Sequence, residues 1–285
     1  MIEDLLKPLV SARFADDQRY RQGHIRILNA LQGRRILGVH VPEMRALAKT
    51  LAKNGDAAGL IASFEQEAAS ERTAYGSRLC YEELVVWGLL VNYVKVPIGE
   101  RLSLVRKFVP YIDCWPVCDL FDSAAKWIAS EKRKNPLPVW DMICGYFRSD
   151  KEFEVRFAVV VSMSYFLDKE YLPELFEMID RLDFGRIESN YISVRRAKEA
   201  CGVSAFGEYV PADGKGVAAG ESPFYVRMAV AWFLATSLAK FPDETRSYMN
   251  VSRLPEDVRK LYARKARESF RTRDVPPFMD AANGV

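Results

Sequence analysis

The stretch "VRFAVVVSMSYF", residues 155–166, decides the fold. Its valines suit a strand, because β-branched side chains pack well on a pleated surface. Its length and its neighbours argue for a helix buried on every side. The apolar pattern runs on through "EFEVRFAVVVSMSYFLD" (152–168), longer than an ordinary strand. The segments on either side are helical in period. We therefore read 155–166 as a buried helix.

Working outward, helical periodicity dominates. "VPEMRALAKTLAKNG" (41–55) places Pro42 at a helix start and Gly55 at its stop. In "PIGERLSLVRKFVPYI" (97–112), Pro97 opens the helix, and Leu102, Val105, Phe108 and Val109 form its apolar stripe. "CWPVCDLFDSAAKWIAS" (114–130), "PLPVWDMICGYFRS" (136–149) and "YLPELFEMIDRLD" (171–183) follow the same pattern. So do "SPFYVRMAVAWFLATSLAKFP" (222–242) and "PEDVRKLYARKARESFR" (255–271). Each is roughly 12–20 residues long, the usual helix length, and the breaks are short. No alternating apolar and polar run is bounded by hairpin turns. The expected fold is all-α, a HEAT-like α-α superhelix of stacked antiparallel helix pairs with a concave basic groove. One such domain spans 1–285. The Gly- and Ala-rich segment "GVSAFGEYVPADGKGVAAGES" (202–222) reads as a long loop. With the helix before it, it marks an insertion at 186–221.

Composition bounds the function. The 285 residues are 49% hydrophobic and 28% charged, which fits a globular chain with a large core. The net charge of +3 permits a polyanionic partner without requiring one. Five scattered cysteines, an acidic start "MIEDLLKPLV" and no long uncharged apolar run point to the cytoplasm. No membrane contact is expected. The two histidines, His24 and His40, lie far from Cys114 and Cys118, so no zinc site is expected. No P-loop, dinucleotide fingerprint or nucleophile elbow is present. The expected chemistry uses carboxylate, guanidinium and aromatic groups, with no metal and no cofactor.

Several apolar helices carry one misplaced charge. Trp115 and Asp119 are four residues apart and share a helix face. Arg156 interrupts the valine-rich helix, and Arg227 and Trp232 lie in a helix otherwise almost free of polar groups. A lone buried charge is costly, so each must pair or face a polar groove. Taken singly, each reads as a structural strut or a core aromatic. Taken together on successive solenoid helices, they fit recognition of something anionic and aromatic. Arg264 and Lys265, in the basic last helix, and Arg227 are candidates for phosphate contact.

At this point the chain resembles a known family, the AlkD-like DNA alkylation repair proteins built of HEAT-like repeats. "GVHVPEMRALAKTLAK" (38–53) is similar to the family's N-terminal G-V-x-x-P signature. "FVPYIDCWPVCDLF" (108–121) carries its W-x3-D, and "EVRFAVVVSMSYFLD" (154–168) its R-x-A-[IV] helix. "FYVRMAVAWFLATSLAKFP" (224–242) resembles its aromatic-rich Trp helix, and "ARESFR" (266–271) its closing motif. The wording "CWPVCDLF" resembles a divergent branch of the family more than its well-behaved glycosylases.

The resemblance implies a catalytic Asp119, groove tryptophans Trp115 and Trp232, and a phosphate-contacting Arg156. It also implies a monofunctional glycosylase that releases cationic N3- or N7-alkylpurines from double-stranded DNA without base flipping. The expected protein is a monomer associated with the nucleoid of a bacterium. Two alternatives stay open: a non-catalytic DNA-binding member of the same family and, third, a protein-interaction scaffold.

Overall fold

The computed structural model describes residues 2–28, 34–70, 79–189 and 223–279. Within them the fold is all-α, as expected, with no strand and an isolated bridge between Val10 and Val39. Residues 155–165 are helical, and Phe166 caps the helix. The chain forms two compact units, one of residues 1–139 with 188–222 and one of residues 140–187 with 223–285. The insertion expected at 186–221 lies outside the described residues from residue 190 onward.

The first unit runs α1 (Ile2–Leu6), α2 (Ala12–Asp16), α3 (Gln18–Leu28), α4 (Val41–Asn54) and α5 (Ala57–Ser70). It continues with α6 (Tyr81–Tyr93), α7 (Ile98–Phe108), α8 (Trp115–Ala124) and α9 (Trp127–Lys134). Pro42 and Gly55 bracket α4 as expected, with Gly55 left-handed at φ 91°. α6 packs between α4 and α8, with α5 and α7 also against it. Every residue from Tyr81 to Asn92 is buried. That helix is apolar all round and shows no stripe, so periodicity alone does not reveal it.

Polar side chains close the ends of α6. The Glu82 carboxylate accepts the backbone N–H groups of Leu37, Gly38 and Val39 at 2.9, 2.7 and 3.3 Å, tying the entry to α4 onto α6. Glu83 accepts the Cys80 N–H at 2.8 Å and so caps its own helix. At the other end Arg101 donates to the carbonyls of Val91, Asn92 and Val94, which no residue of α6 can serve.

In mid-helix, a Cβ on Gly88 would lie 2.7 Å from the Phe108 ring. Gly88→Ala is expected to cost about 1–3 kcal/mol by overpacking. Gly23→Ala in α3 meets open space. It should leave stability unchanged or raise it by about 0.5–1 kcal/mol. Denaturant melts of the two variants decide this, and equal midpoints would refute the close approach.

The second unit holds α10 (Leu137–Phe147), whose first turn falls at the unit boundary, then α11 (Glu152–Tyr165) and α12 (Leu172–Asp180). It continues with α13 (Phe224–Lys240), α14 (Pro242–Val251) and α15 (Glu256–Glu268). α13 packs between α11 and α15. The Glu152 carboxylate accepts the Tyr225 N–H at 2.8 Å, and the Thr236 hydroxyl donates to the Met163 sulfur at 3.4 Å. These contacts climb both helices together, so α11 and α13 run parallel. Trp140, Phe166 and Tyr171 form one aromatic cluster with centroids 4.7–5.1 Å apart.

One sequence expectation is corrected. Residues 114–130 do not form a single helix; α8 ends at Ala124 and α9 begins at Trp127. Asn92, at the end of α6, causes the break. Its amide donates to the Phe121 carbonyl at 3.2 Å, and its oxygen accepts the Trp127 indole N–H at 2.7 Å. Both bonds turn the chain around Ala125 and Lys126.

Candidate active site

α8 begins at Cys114, its N-cap, with a proline in its first turn, where the missing N–H costs nothing. Pro116, Val117, Cys118, Phe121, Asp122 and Ala124 face inward and are buried. Trp115, Asp119 and Ser123 recur every four residues and make the outward stripe, half-buried at Trp115 and Asp119 and exposed at Ser123. The structure therefore places Trp115 and Asp119 side by side on one face of one helix.

Both ends of this stripe are held from elsewhere in the unit. At one end the Trp115 indole N–H donates to the carbonyl of Ile27, in α3, at 3.0 Å. That bond fixes the edge of the ring. At the other end Arg45, from α4, donates to the Ser123 hydroxyl and to the Tyr93 hydroxyl, the latter at 3.4 Å. The Ser123 hydroxyl in turn donates to the Leu120 carbonyl at 3.0 Å. A guanidinium thus stands one turn beyond Asp119.

The other two carboxylates near α8 differ in kind. Asp113 is buried, and its carboxylate accepts the Arg34 Nε–H at 2.7 Å, both side chains being under a tenth exposed. Arg34 also donates to the Leu79 carbonyl at 2.6 Å, so the pair locks the approach to α8 against the approach to α6. Asp122 is buried too. Burial pushes the Cys114 thiol well above its usual range, which keeps it neutral and poorly nucleophilic.

In the second unit, Arg156 is buried, 4% exposed. Its guanidinium donates to the Tyr225 carbonyl at 3.1 Å, while Glu152, one turn earlier, accepts the N–H of that same residue. Together they clamp the first turn of α13. Trp232 lies further along that helix and is 41% exposed. Arg227 pairs with Asp257 at 2.6 Å and stacks over the Phe184 ring at 4.9 Å. Arg264 and Lys265 both pair with Glu268, at 3.6 and 2.8 Å. These acids are half-exposed or more. Exposed pairs of this kind contribute about 0–1 kcal/mol.

Sequence reasoning passed over Arg45, Arg34 and Asp113. Arg45 sits inside "VPEMRALAK" where period alone makes it a solvated charge. Arg34 and Asp113 are 79 residues apart and carry no local signal. Among the described residues, no group of three or more His, Cys, Asp or Glu could hold a metal ion. No helix among them is long and apolar enough to cross a membrane.

A sequence profile of a family described as DNA alkylation repair enzyme matches residues 9–183. The match takes in α2 to α12 and with them Trp115, Asp119 and Arg156, while Trp232 lies beyond it. No curated protein and no solved structure gives a significant match.

Proposed function

The chain belongs to the DNA alkylation repair enzyme family, and from that premise we propose that it is a monofunctional DNA glycosylase releasing cationic N3- and N7-alkylpurines from duplex DNA. The observation that carries this reading is the Trp115–Asp119 pair on the outward stripe of α8. Of the three carboxylates around that helix, Asp119 is the one not buried in the core.

The chemistry follows from the charge of the substrate. An N3- or N7-alkylated purine is a cation and leaves with the glycosidic electron pair as a neutral base. The sugar gains oxocarbenium character. A carboxylate beside it stabilises that positive charge and orients the water that adds to C1′, as in glycoside hydrolysis. The products are the free base and an abasic site. Trp115 and Trp232 offer ring faces to deoxyribose, and Arg227, Arg264 and Lys265 offer charge to phosphates. The resemblance to AlkD-like proteins supports release without flipping the base, in contrast to glycosylases that extrude it into a pocket. The proposal contains no lyase step, and the protein acts as a monomer on cytoplasmic DNA.

Arg156 enters as a positioning residue, since its guanidinium holds the start of the helix that bears Trp232. Arg156→Ala is accordingly expected to lower base release and the melting temperature together, and Arg156→Lys to recover part of both. A drop in release with unchanged melting would instead assign Arg156 to the substrate.

The direct test incubates the protein with methylated genomic DNA and identifies released bases by mass spectrometry. 3-Methyladenine or 7-methylguanine above the spontaneous rate is expected. Salt-dependent DNA binding with no release would favour the non-catalytic alternative.

A further inference from the structure

The turn after α15 holds an aromatic ring out in solvent among guanidinium groups. Phe270 is 77% exposed. The turn that presents it is tightly hydrogen-bonded. Thr272 is buried, and its hydroxyl donates to the Ala266 carbonyl at 2.7 Å. The N–H groups of Thr272 and Arg273 donate to the Ser269 carbonyl at 3.1 and 2.8 Å. Further on, the Tyr262 hydroxyl donates to the Pro277 carbonyl at 2.8 Å and its ring meets Phe278 edge-on at 5.7 Å. The chain is pinned on both sides of Phe270, and the ring is left outside.

Its surroundings are cationic. The Arg271 guanidinium lies 5.6 Å from the Phe270 centroid. Residues 264–274 hold five cations, Arg264, Lys265, Arg267, Arg271 and Arg273, against Glu268 and Asp274. Five minus two leaves an excess of three, equal to the +3 of the whole chain. So dense a local charge beside a bare ring suits a partner that brings a flat apolar face and negative charge together. A nucleotide does both. Bases inside a duplex are already stacked, so the face must come from an unpaired one.

We propose that Phe270 is a stacking platform for an unpaired nucleobase, with Arg267, Arg271 and Arg273 on the adjoining phosphates, so that the second unit carries a single-strand nucleic-acid contact that does not use Asp119. The proposal shares with the glycosylase reading only the class of partner. Stacking on an aromatic side chain tolerates any base, and the guanidiniums add salt-dependent attraction.

Fluorescence anisotropy of the full chain with labelled oligothymidine of twelve nucleotides tests it, beside a blunt duplex at the same salt. Phe270→Ala is expected to weaken oligothymidine binding about tenfold, within the range for loss of one base–aromatic stack. Phe270→Trp should retain it. Duplex binding and base release should change less than about twofold. Equal oligothymidine binding by the wild type and Phe270→Ala overturns the proposal. So does Phe270-dependent binding to phosphatidylserine-containing vesicles in a protein that does not bind oligothymidine. Phe270-dependent binding without any base release would uphold this site while the glycosylase reading fell.

Discussion

Asp119→Asn is expected to lower base release from methylated DNA by on the order of 10²–10³-fold, with DNA affinity and melting temperature close to wild type. Asparagine keeps the volume of the side chain and removes its charge. Asp119 is half-buried on the outward stripe of α8, so its loss leaves no cavity in the core. If the carboxylate stabilises a sugar cation, the effect must fall on the rate and spare binding. Asp122→Asn provides the contrast. Asp122 is buried one turn further along the same helix, so its change should act on stability first. Release by Asp119→Asn within about threefold of wild type would remove Asp119 from the chemistry and leave α8 a structural helix.

Much of the fold was legible in the letters because most of its helices are amphipathic. The Pro42 start, the Gly55 stop and the stripe at Leu102, Val105, Phe108 and Val109 stand where the pattern put them, and those four stripe residues are buried. The valine-rich 155–165 is helical because α13 covers it over much of its length, and burial overrides β-propensity. What the pattern could not show is α6. A helix buried from Tyr81 to Asn92 has no polar face, hence no period, and the two acids in its first turn look like solvated charges. Glu82 is instead fully buried and binds three backbone N–H groups of a segment more than 40 residues away.

The candidate site divides in the same way. Trp115 and Asp119 are four apart on one helix, so spacing alone places them together. Arg45 reaches Ser123 across 78 residues, and no sequence window contains both. Arg156 illustrates the converse. A charge in an apolar helix announces that it must be satisfied, but not by what. Here the partner is a backbone carbonyl of Tyr225, 69 residues on.

The buried pair before α8 should matter most for stability. Asp113→Ala is expected to cost about 3–5 kcal/mol, because it leaves the Arg34 guanidinium in the interior without its carboxylate. The Leu79 carbonyl still accepts from Arg34, but a neutral acceptor does not replace a charge. The chain has two compact units, so unfolding need not be two-state. The loss should fall on the transition of the unit that contains α8, and hydrogen exchange along 113–124 should report it. Replacing both partners, Arg34→Met with Asp113→Leu, should recover much of the stability, since paired apolar groups avoid the desolvation cost of both charges. That double variant also separates support from chemistry. Asp113 lies two residues before Trp115, so base release should fall in Asp113→Ala as the Trp115–Asp119 stripe loosens. Release should return with stability in the double variant. A stability loss below about 1 kcal/mol in Asp113→Ala would show that the other contacts at the start of α8 suffice to hold it, and that Asp119 is positioned by the helix alone.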